Sequence, residues 1–205
     1  MLIPRQVETY GWKAAIRGMR NPLNSWNKSD TKFTPDLDIG PADLALMRKL
    51  VTAGTDHRKF MRMIGVSMDI IAPLYWWKEM DTYKVGTVVD SCSTMHKIAD
   101  KEFTLLDFST EHLTGTSANA LNYVIETMNV YRNLYLKEQD PEQKKEYWWQ
   151  MIQLLPTSYN QKRTWSANYE VLRNLYRARK DHKLDEWHTL CEAIEHLPYF
   201  CPLIM

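Results

Sequence analysis

The side chains best placed for chemistry lie on one helix late in the chain. From Asn168 onward, apolar residues recur at helical spacing and form one stripe: Val171, Leu172, Leu175, Tyr176 and Ala178. Asn168 precedes Leu172 by four residues and Arg179 follows it by seven, so both project from the apolar side. An arginine there needs an anion or a hydrogen-bonding partner, because a buried unpaired charge is costly. Arg179 is therefore a candidate anion-binding residue; an internal salt bridge or a cation at the helix C-terminus is the alternative.

The rest of this helix is predicted to be an ordinary surface. Arg173, Arg177 and Lys180 lie elsewhere on the cylinder and are interpreted as a solvated face. Asn168 is a suitable first-turn or N-cap residue for this helix. The helix between Asn168 and Arg179 spans about 16 Å, so the two side chains are expected at opposite ends of it.

The same residues carry a resemblance to a known family. Leu155-Pro156, Trp165, Asn168, Leu172, Asn174 and Arg179 together resemble the C-terminal motif of the flavin-dependent thymidylate synthases, the ThyX family. The resemblance implies that Arg179 contacts and polarises the pyrimidine of dUMP, and that Asn168 and Asn174 lie on the flavin side. The chain departs from the family at Glu170, where an arginine is usual, and at Ile152-Gln153, where the family has a phosphate-binding arginine.

A second family signature falls on residues 82–95, where it is strongly altered. Tyr83 and Lys84 stand where the family has His and Arg, and Met95 replaces its last Arg. Several residues can still serve the implied site. In this stretch they are Tyr83, Lys84 and Thr87 for the cofactor and Ser93 for the nucleotide. His57, at an upstream junction, is a further cofactor candidate. Lys84 supplies charge but lacks the bidentate fork of arginine.

The elements that must position these residues have clear local signals. Pro41 starts a helix, a strand is predicted over 63–72, and Gln161–Ala167 leans toward strand. Two long helices are predicted to form a hairpin, and the second of them begins at Asp140-Pro141. Four residues of the intervening loop are expected to pack under the core: Phe103, Leu105, Leu106 and Phe108. The predicted fold is α+β, ThyX-like, with a mixed β-sheet flanked by helices and a long helical hairpin, in a single domain over residues 1–205.

Composition bounds the functional classes. The 205 residues carry a net charge of +1, so the chain lacks the excess of basic residues that is typical of proteins that bind a nucleic-acid polymer. Three cysteines without regular spacing, and no run of eighteen apolar residues, indicate a cytoplasmic protein without a membrane partner. His188, Cys191 and His196 share a C-terminal helix, but apolar residues between them favour core and surface positions over a zinc site, so no metal is expected.

The leading functional hypothesis follows from the resemblance. It implies reductive one-carbon transfer to a pyrimidine deoxynucleotide, dUMP or a relative, with FAD as cofactor, NADPH and methylene-tetrahydrofolate as substrates, and a homotetramer. Three alternatives stay open. The protein acts on a different pyrimidine nucleotide, binds nucleotide or flavin without synthase activity, or is an oligomeric structural protein whose eight tryptophans line interfaces.

Overall fold

A computed structural model describes residues 1–33 and 36–204 and confirms the α+β class. Within those residues the strands are β1 (Ile3–Tyr10), β2 (Gly65–Pro73), β3 (Val88–Ser91) and β4 (Asn160–Asn168). The helices are α1 (Trp12–Arg20), α2 (Pro41–Thr52), α3 (Leu74–Met80), α4 (Thr94–Lys97), α5 (Gly115–Lys137), α6 (Pro141–Leu154), α7 (Tyr169–Arg179), α8 (Asp185–Glu195) and α9 (Phe200–Ile204). None of these helices is both long and apolar enough to cross a lipid bilayer.

The strands form a sheet in the order β1-β2-β4-β3. It is antiparallel, whereas the sequence led us to expect a mixed sheet. The register between β2 and β4 is visible in two side-chain pairs. Ser67 Oγ lies 3.1 Å from Ser166 Oγ, and Thr164 donates to Asp69 over 2.7 Å. The residue number rises by two along β2 while that of its partner in β4 falls by two, which is the pairing of antiparallel strands.

The chain forms two compact units. The expectation of a single domain stays a prediction. The first unit comprises Met1–Ile3, Ile70–Tyr83 and Asp90–Arg163. It contains the expected helical hairpin of α5 and α6, and Asp140 caps α6 by accepting from two backbone N–H groups. The hairpin contributes to the core of this unit Leu121, Ile125 and Met128 from α5 and Met151 from α6.

One expectation for the first unit is wrong. Phe103 and Phe108 are buried as predicted, but Leu105 is 47% exposed and Leu106 is 87% exposed. Both leucines lie in a short 3₁₀ turn, Leu105–Asp107, which is closed by hydrogen bonds between Thr104 and Asp107. The turn takes its stability from these polar contacts, so its leucines can point away from the core.

The second unit comprises Pro4–Asp69, Lys84–Val89 and the segment from Thr164 onward. Trp165, Tyr169, Trp187 and Phe200 are fully buried in it, while Trp76 and Trp77 are fully buried in the first unit. Much of the tryptophan surplus is therefore core. Large side chains of this kind contribute about 3–5 kcal/mol each, judged by truncation to alanine.

Candidate functional site

Asn168 stands at the junction where β4 ends and α7 begins. Its extended backbone closes the strand, and its side-chain oxygen accepts from the N–H groups of Glu170 and Val171, each over 3.1 Å. The junction is fixed from the other side too, because Tyr169 N–H donates to Ile64 O over 3.0 Å. The predicted N-cap is present. Its oxygen is committed to the helix, so any ligand would meet its amide NH₂ group.

A tight turn containing Lys84 and Thr87 packs against this junction. Gly86 has a φ of 74°, and a Cβ there would lie 3.0 Å from Val171 Cγ2 and 3.4 Å from Asn168 Nδ2. Glycine is needed both for the backbone conformation and for the close approach. The structure thus brings the turn next to the start of α7, with Lys84 exposed and Thr87 half-buried. Tyr83, the last residue of the first unit's middle segment, is half-buried and donates its backbone N–H to Met80.

Arg179 is the last residue of α7 and is half-buried. Its guanidinium carbon lies over the Trp187 ring, 4.8 Å from the ring centroid. Asn168 lies eleven residues earlier in the sequence, which corresponds to about 16 Å along the axis. Asn174, between them, is exposed. The two best candidates of the sequence therefore occupy opposite ends of one helix.

His57 lies in the turn that follows α2. Its side chain is exposed, and its backbone N–H donates to Gly54 O over 3.1 Å. Within residues 1–33 and 36–204, no hydrogen bond or ion pair joins its imidazole to the turn at Gly86 or to α7. Its assignment to a cofactor stays a prediction.

Ser93 lines a cavity of about 560 Å³ in the first unit. Its hydroxyl oxygen caps α4 by accepting from His96 N–H over 3.3 Å. Three lysines line the same cavity, Lys97, Lys101 and Lys162, together with two aspartates that pair with the first two lysines. Asn160 also lines it, and among the described residues its Nδ2 has no hydrogen-bond partner. The lysines and the amide offer donors of the kind that phosphate oxygens accept from.

The three residues weighed as zinc ligands, His188, Cys191 and His196, divide between core and surface, and His196 lies just after the end of α8. Cys191 is buried, and burial raises the pKa of its thiol to about 11. His188 and His196 are exposed, and His188 lies 3.9 Å from Asp185.

The prediction that Arg173 lies on a solvated face of α7 is wrong. Arg173 is only 7% exposed, although Arg177 and Lys180 are exposed as predicted. It lies four residues after the buried Tyr169, so the two side chains share one face of the helix. The predicted apolar stripe did not include Tyr169, and this face was therefore missed. Arg173 lines a second cavity together with Arg48, Arg58 and Arg177, and no pattern in the sequence groups these four residues.

Glu170, the departure from the family pattern, is buried in a double ion pair. It accepts from Arg58 Nε over 3.0 Å and also from Arg62 Nε. Burial works to raise the pKa of Glu170, but the hydrogen bonds and charges of Arg62 and Arg58 outweigh it and hold the pKa below its usual value. Glu170 therefore has a structural role, and it fixes Arg58 beside Arg173.

Comparisons with known proteins bear on the fold alone. No protein-family model matches the chain, and no curated protein matches its sequence. The structure is similar to flavin-dependent thymidylate synthase ThyX from Helicobacter pylori complexed with FAD and dUMP, with a TM-score of 0.71 and 15% identity over 98% of this chain and 97% of that one. A second structure of the H. pylori enzyme with FAD and dUMP gives a TM-score of 0.68 and 16% identity over 100% and 96%.

A third similar structure is that of a methylase. It is the UMP/dUMP methylase PolB from Streptomyces cacaoi bound with 5-Br dUMP, with a TM-score of 0.60 and 11% identity over 95% of this chain and 88% of that one. Identities of 11–16% establish architecture and not activity. The chain has, over nearly its whole length, the fold of the flavin-dependent thymidylate synthases.

Proposed function

We propose that this protein binds FAD and a pyrimidine deoxynucleotide, dUMP or a relative, and catalyses a reductive one-carbon transfer to the pyrimidine. The observation that carries the proposal is the fold match over 98% of the chain to an enzyme complexed with FAD and dUMP. The three free cysteines suit a reducing compartment, and we propose the cytoplasm.

The cofactor would lie against the start of α7 and the Gly86 turn. The residues we assign to it are Asn168, Asn174, Lys84, Thr87, Tyr83 and His57. Bound FAD would carry hydride from NADPH to the one-carbon unit donated by methylene-tetrahydrofolate. The fit is supported by the close packing of Gly86 on Asn168, which leaves the amide NH₂ of Asn168 beside the turn. Lys84 is exposed next to it and can neutralise one phosphate charge.

We assign Ser93, in the first unit, and Arg179, in the second unit, to the nucleotide as two separate proposals. The cavity at Ser93 is lined by three lysines, two of them paired with aspartates, and the lysine ammonium groups can donate to a nucleotide phosphate. Arg179 is a fixed positive charge at the end of α7, and it would stabilise negative charge that develops on the pyrimidine during transfer. Its place over Trp187 holds the guanidinium in one orientation before a ligand arrives.

We also propose a homo-oligomer, a tetramer by resemblance. Asn168 and Arg179 are about 16 Å apart along α7, so a site at one end of the helix could be completed by a side chain from a second copy of the chain. The side of α5 that faces away from its buried residues carries exposed apolar side chains, Tyr123, Val130 and Leu134. Their spacing of seven and four residues places them in one stripe, as expected of a subunit interface.

A second candidate function, binding without catalysis, is favoured by one observation. Met95, where the resembling family has its last signature arginine, is 53% exposed and supplies no charge. A site without that charge could bind nucleotide and flavin after losing the reaction. The two candidates predict the same ligands and differ only in turnover.

The deciding experiment begins with the visible absorbance spectrum of the protein after incubation with FAD and passage through a desalting column. We expect a retained flavin spectrum, followed by formation of the methylated nucleotide from dUMP or dCMP with NADPH and methylene-tetrahydrofolate. Flavin retention without product would select the binding protein. A colourless protein that never retains FAD would refute both candidates.

A further inference from the structure

A cavity of about 690 Å³ in the second unit is lined by four arginines. Arg48 comes from α2, Arg58 from the turn after it, and Arg173 and Arg177 from α7. Among the residues that the structure describes, no acidic side chain lines this cavity. None of the residues assigned above to flavin or nucleotide lines it, although Arg58 and Arg173 are chain neighbours of His57 and Asn174.

Arg173 is the least satisfied of the four. Its side chain is almost completely buried, and its Nε–H is sealed from solvent without a hydrogen-bond partner within residues 1–33 and 36–204. Burial lowers the pKa of Arg173, and the charges of Arg58 and Arg177 lower it further. An arginine nevertheless remains protonated, so the chain maintains a costly buried cation. An anion in the cavity would relieve both the unmet hydrogen bond and the mutual repulsion.

Two of the other arginines are oriented by bonds at Nε. Arg48 Nε donates to Pro202 O over 2.8 Å, and Arg58 Nε donates to Glu170 over 3.0 Å. Each contact helps fix the plane of the guanidinium. Arg58 Nη2 also donates to Thr55 Oγ1 over 2.9 Å, so only the remaining Nη donors of Arg58 are open to an anion. Arg177 makes no ion pair with the described part of the chain.

The charge balance indicates how large an anion the cavity suits. Glu170 is paired with Arg62 as well as with Arg58, so the carboxylate of Glu170 and the cation of Arg62 offset each other. The four lining arginines then leave four positive charges. One phosphate group carries about two negative charges at most, so two linked phosphate groups match the four guanidinium groups in charge.

We propose that this cavity binds a small anion carrying at least two linked phosphate groups, with Arg173 as its buried anchor. Val51 and Leu203 give the cavity an apolar wall, against which the non-phosphate part of such a ligand can pack. Free polyphosphate and a nucleoside triphosphate share this chemistry. The diphosphate of FAD shares it too, and binding of FAD in this cavity would appear as a loss of FAD retention in Arg177→Gln.

The test is calorimetric titration of the full chain with inorganic triphosphate at low salt, because salt screens such contacts. We expect binding by the unaltered protein and a loss of at least about tenfold in affinity for Arg173→Met and for Arg177→Gln. Arg17→Gln removes an exposed arginine of α1 and is the matched control, with an affinity expected to stay within about twofold. Arg173→Met should melt no lower than the unaltered protein in the absence of ligand, since it removes an unpaired buried charge.

Three outcomes would overturn the proposal: no binding of triphosphate, an equal loss in Arg17→Gln, or equally tight binding of inorganic monophosphate. ATP, titrated in parallel, distinguishes the two sources. Tighter binding of ATP would identify a nucleotide, and tighter binding of triphosphate a free polyphosphate. FAD retention is expected to be unchanged in Arg177→Gln, so failure here would be distinguishable from failure of the proposed function.

Discussion

The guanidinium of Arg179 stacks on the indole of Trp187, 4.8 Å from the ring centroid. A contact of this type at a partly exposed site contributes about 0.5–1 kcal/mol, which corresponds to at most about 4 °C in melting temperature for a chain of this size. Loss of this contact alone is therefore expected to cost little stability. A thermal melt can then be compared with the effect on nucleotide binding.

We expect Arg179→Ala to weaken dUMP binding by about 10- to 100-fold, the usual loss for one hydrogen bond to a charged group. Calorimetric titration with dUMP and a thermal melt on the same sample measure both effects. Lys180→Ala, an exposed cation at the same helix end, is the matched control and should leave dUMP affinity unchanged. If Arg179→Ala unfolds the protein, Arg179 is a structural residue and its assignment to the site is wrong.

Two substitutions at Asn168 separate the N-cap from a flavin contact. Asn168→Ala should destabilise the protein by about 1 kcal/mol, because Glu170 and Val171 lose their hydrogen-bond acceptor. Asn168→Asp keeps the acceptor and adds a charge that the helix N-terminus favours, so its melting temperature should stay near that of the unaltered protein.

The informative measurement on the Asn168→Asp protein is FAD retention. The substituted carboxylate would lack the amide NH₂ that lies beside Gly86, so a flavin contact by that group predicts weaker retention at unchanged stability. Full retention by a stable Asn168→Asp protein would limit Asn168 to the capping role.

The sequence predicted local boundaries better than long-range neighbours. Asn168 and Asp140 were recognised as caps because a cap depends on residues only two or three positions away. The burial of Arg173 was missed because several faces of α7 are covered, and a single apolar stripe cannot describe such a helix. The ion pairs of Glu170 join residues 112 and 108 positions apart, and no local pattern contains that information.

The same double ion pair gives a pH-dependent prediction. The pKa of Glu170 is held below its usual value in the folded protein, so its stabilising contribution is present above the unfolded-state pKa of about 4.3 and is lost as the pH falls through the folded-state value. Glu170→Gln should cost about 3 kcal/mol at pH 7, because it leaves Arg58 and Arg62 without their carboxylate. Below about pH 4 the difference between the two proteins should shrink.

Denaturant unfolding of both proteins at about pH 7 and about pH 3.5 tests this prediction. Glu170→Arg, which restores the residue type usual in the resembling family, should destabilise further, since it places a third cation beside Arg58 and Arg62. A Glu170→Gln protein as stable as the unaltered chain at neutral pH would show that the pair contributes nothing.

The exposed stripe of α5 predicts how the protein assembles. Tyr123 is 72% exposed and Val130 is 56% exposed, on the side of the helix opposite the buried Leu121, Ile125 and Met128. We expect Val130→Glu to shift the mass measured by light scattering toward the monomer, because burying an unpaired carboxylate in an interface costs several kcal/mol. Lys145→Glu, at an exposed position of α6, changes the charge of the same hairpin and should leave the mass unchanged. If cofactor binding needs a second copy, the Val130→Glu monomer will also lose FAD retention, whereas a monomer that retains FAD fully would confine that site to one chain.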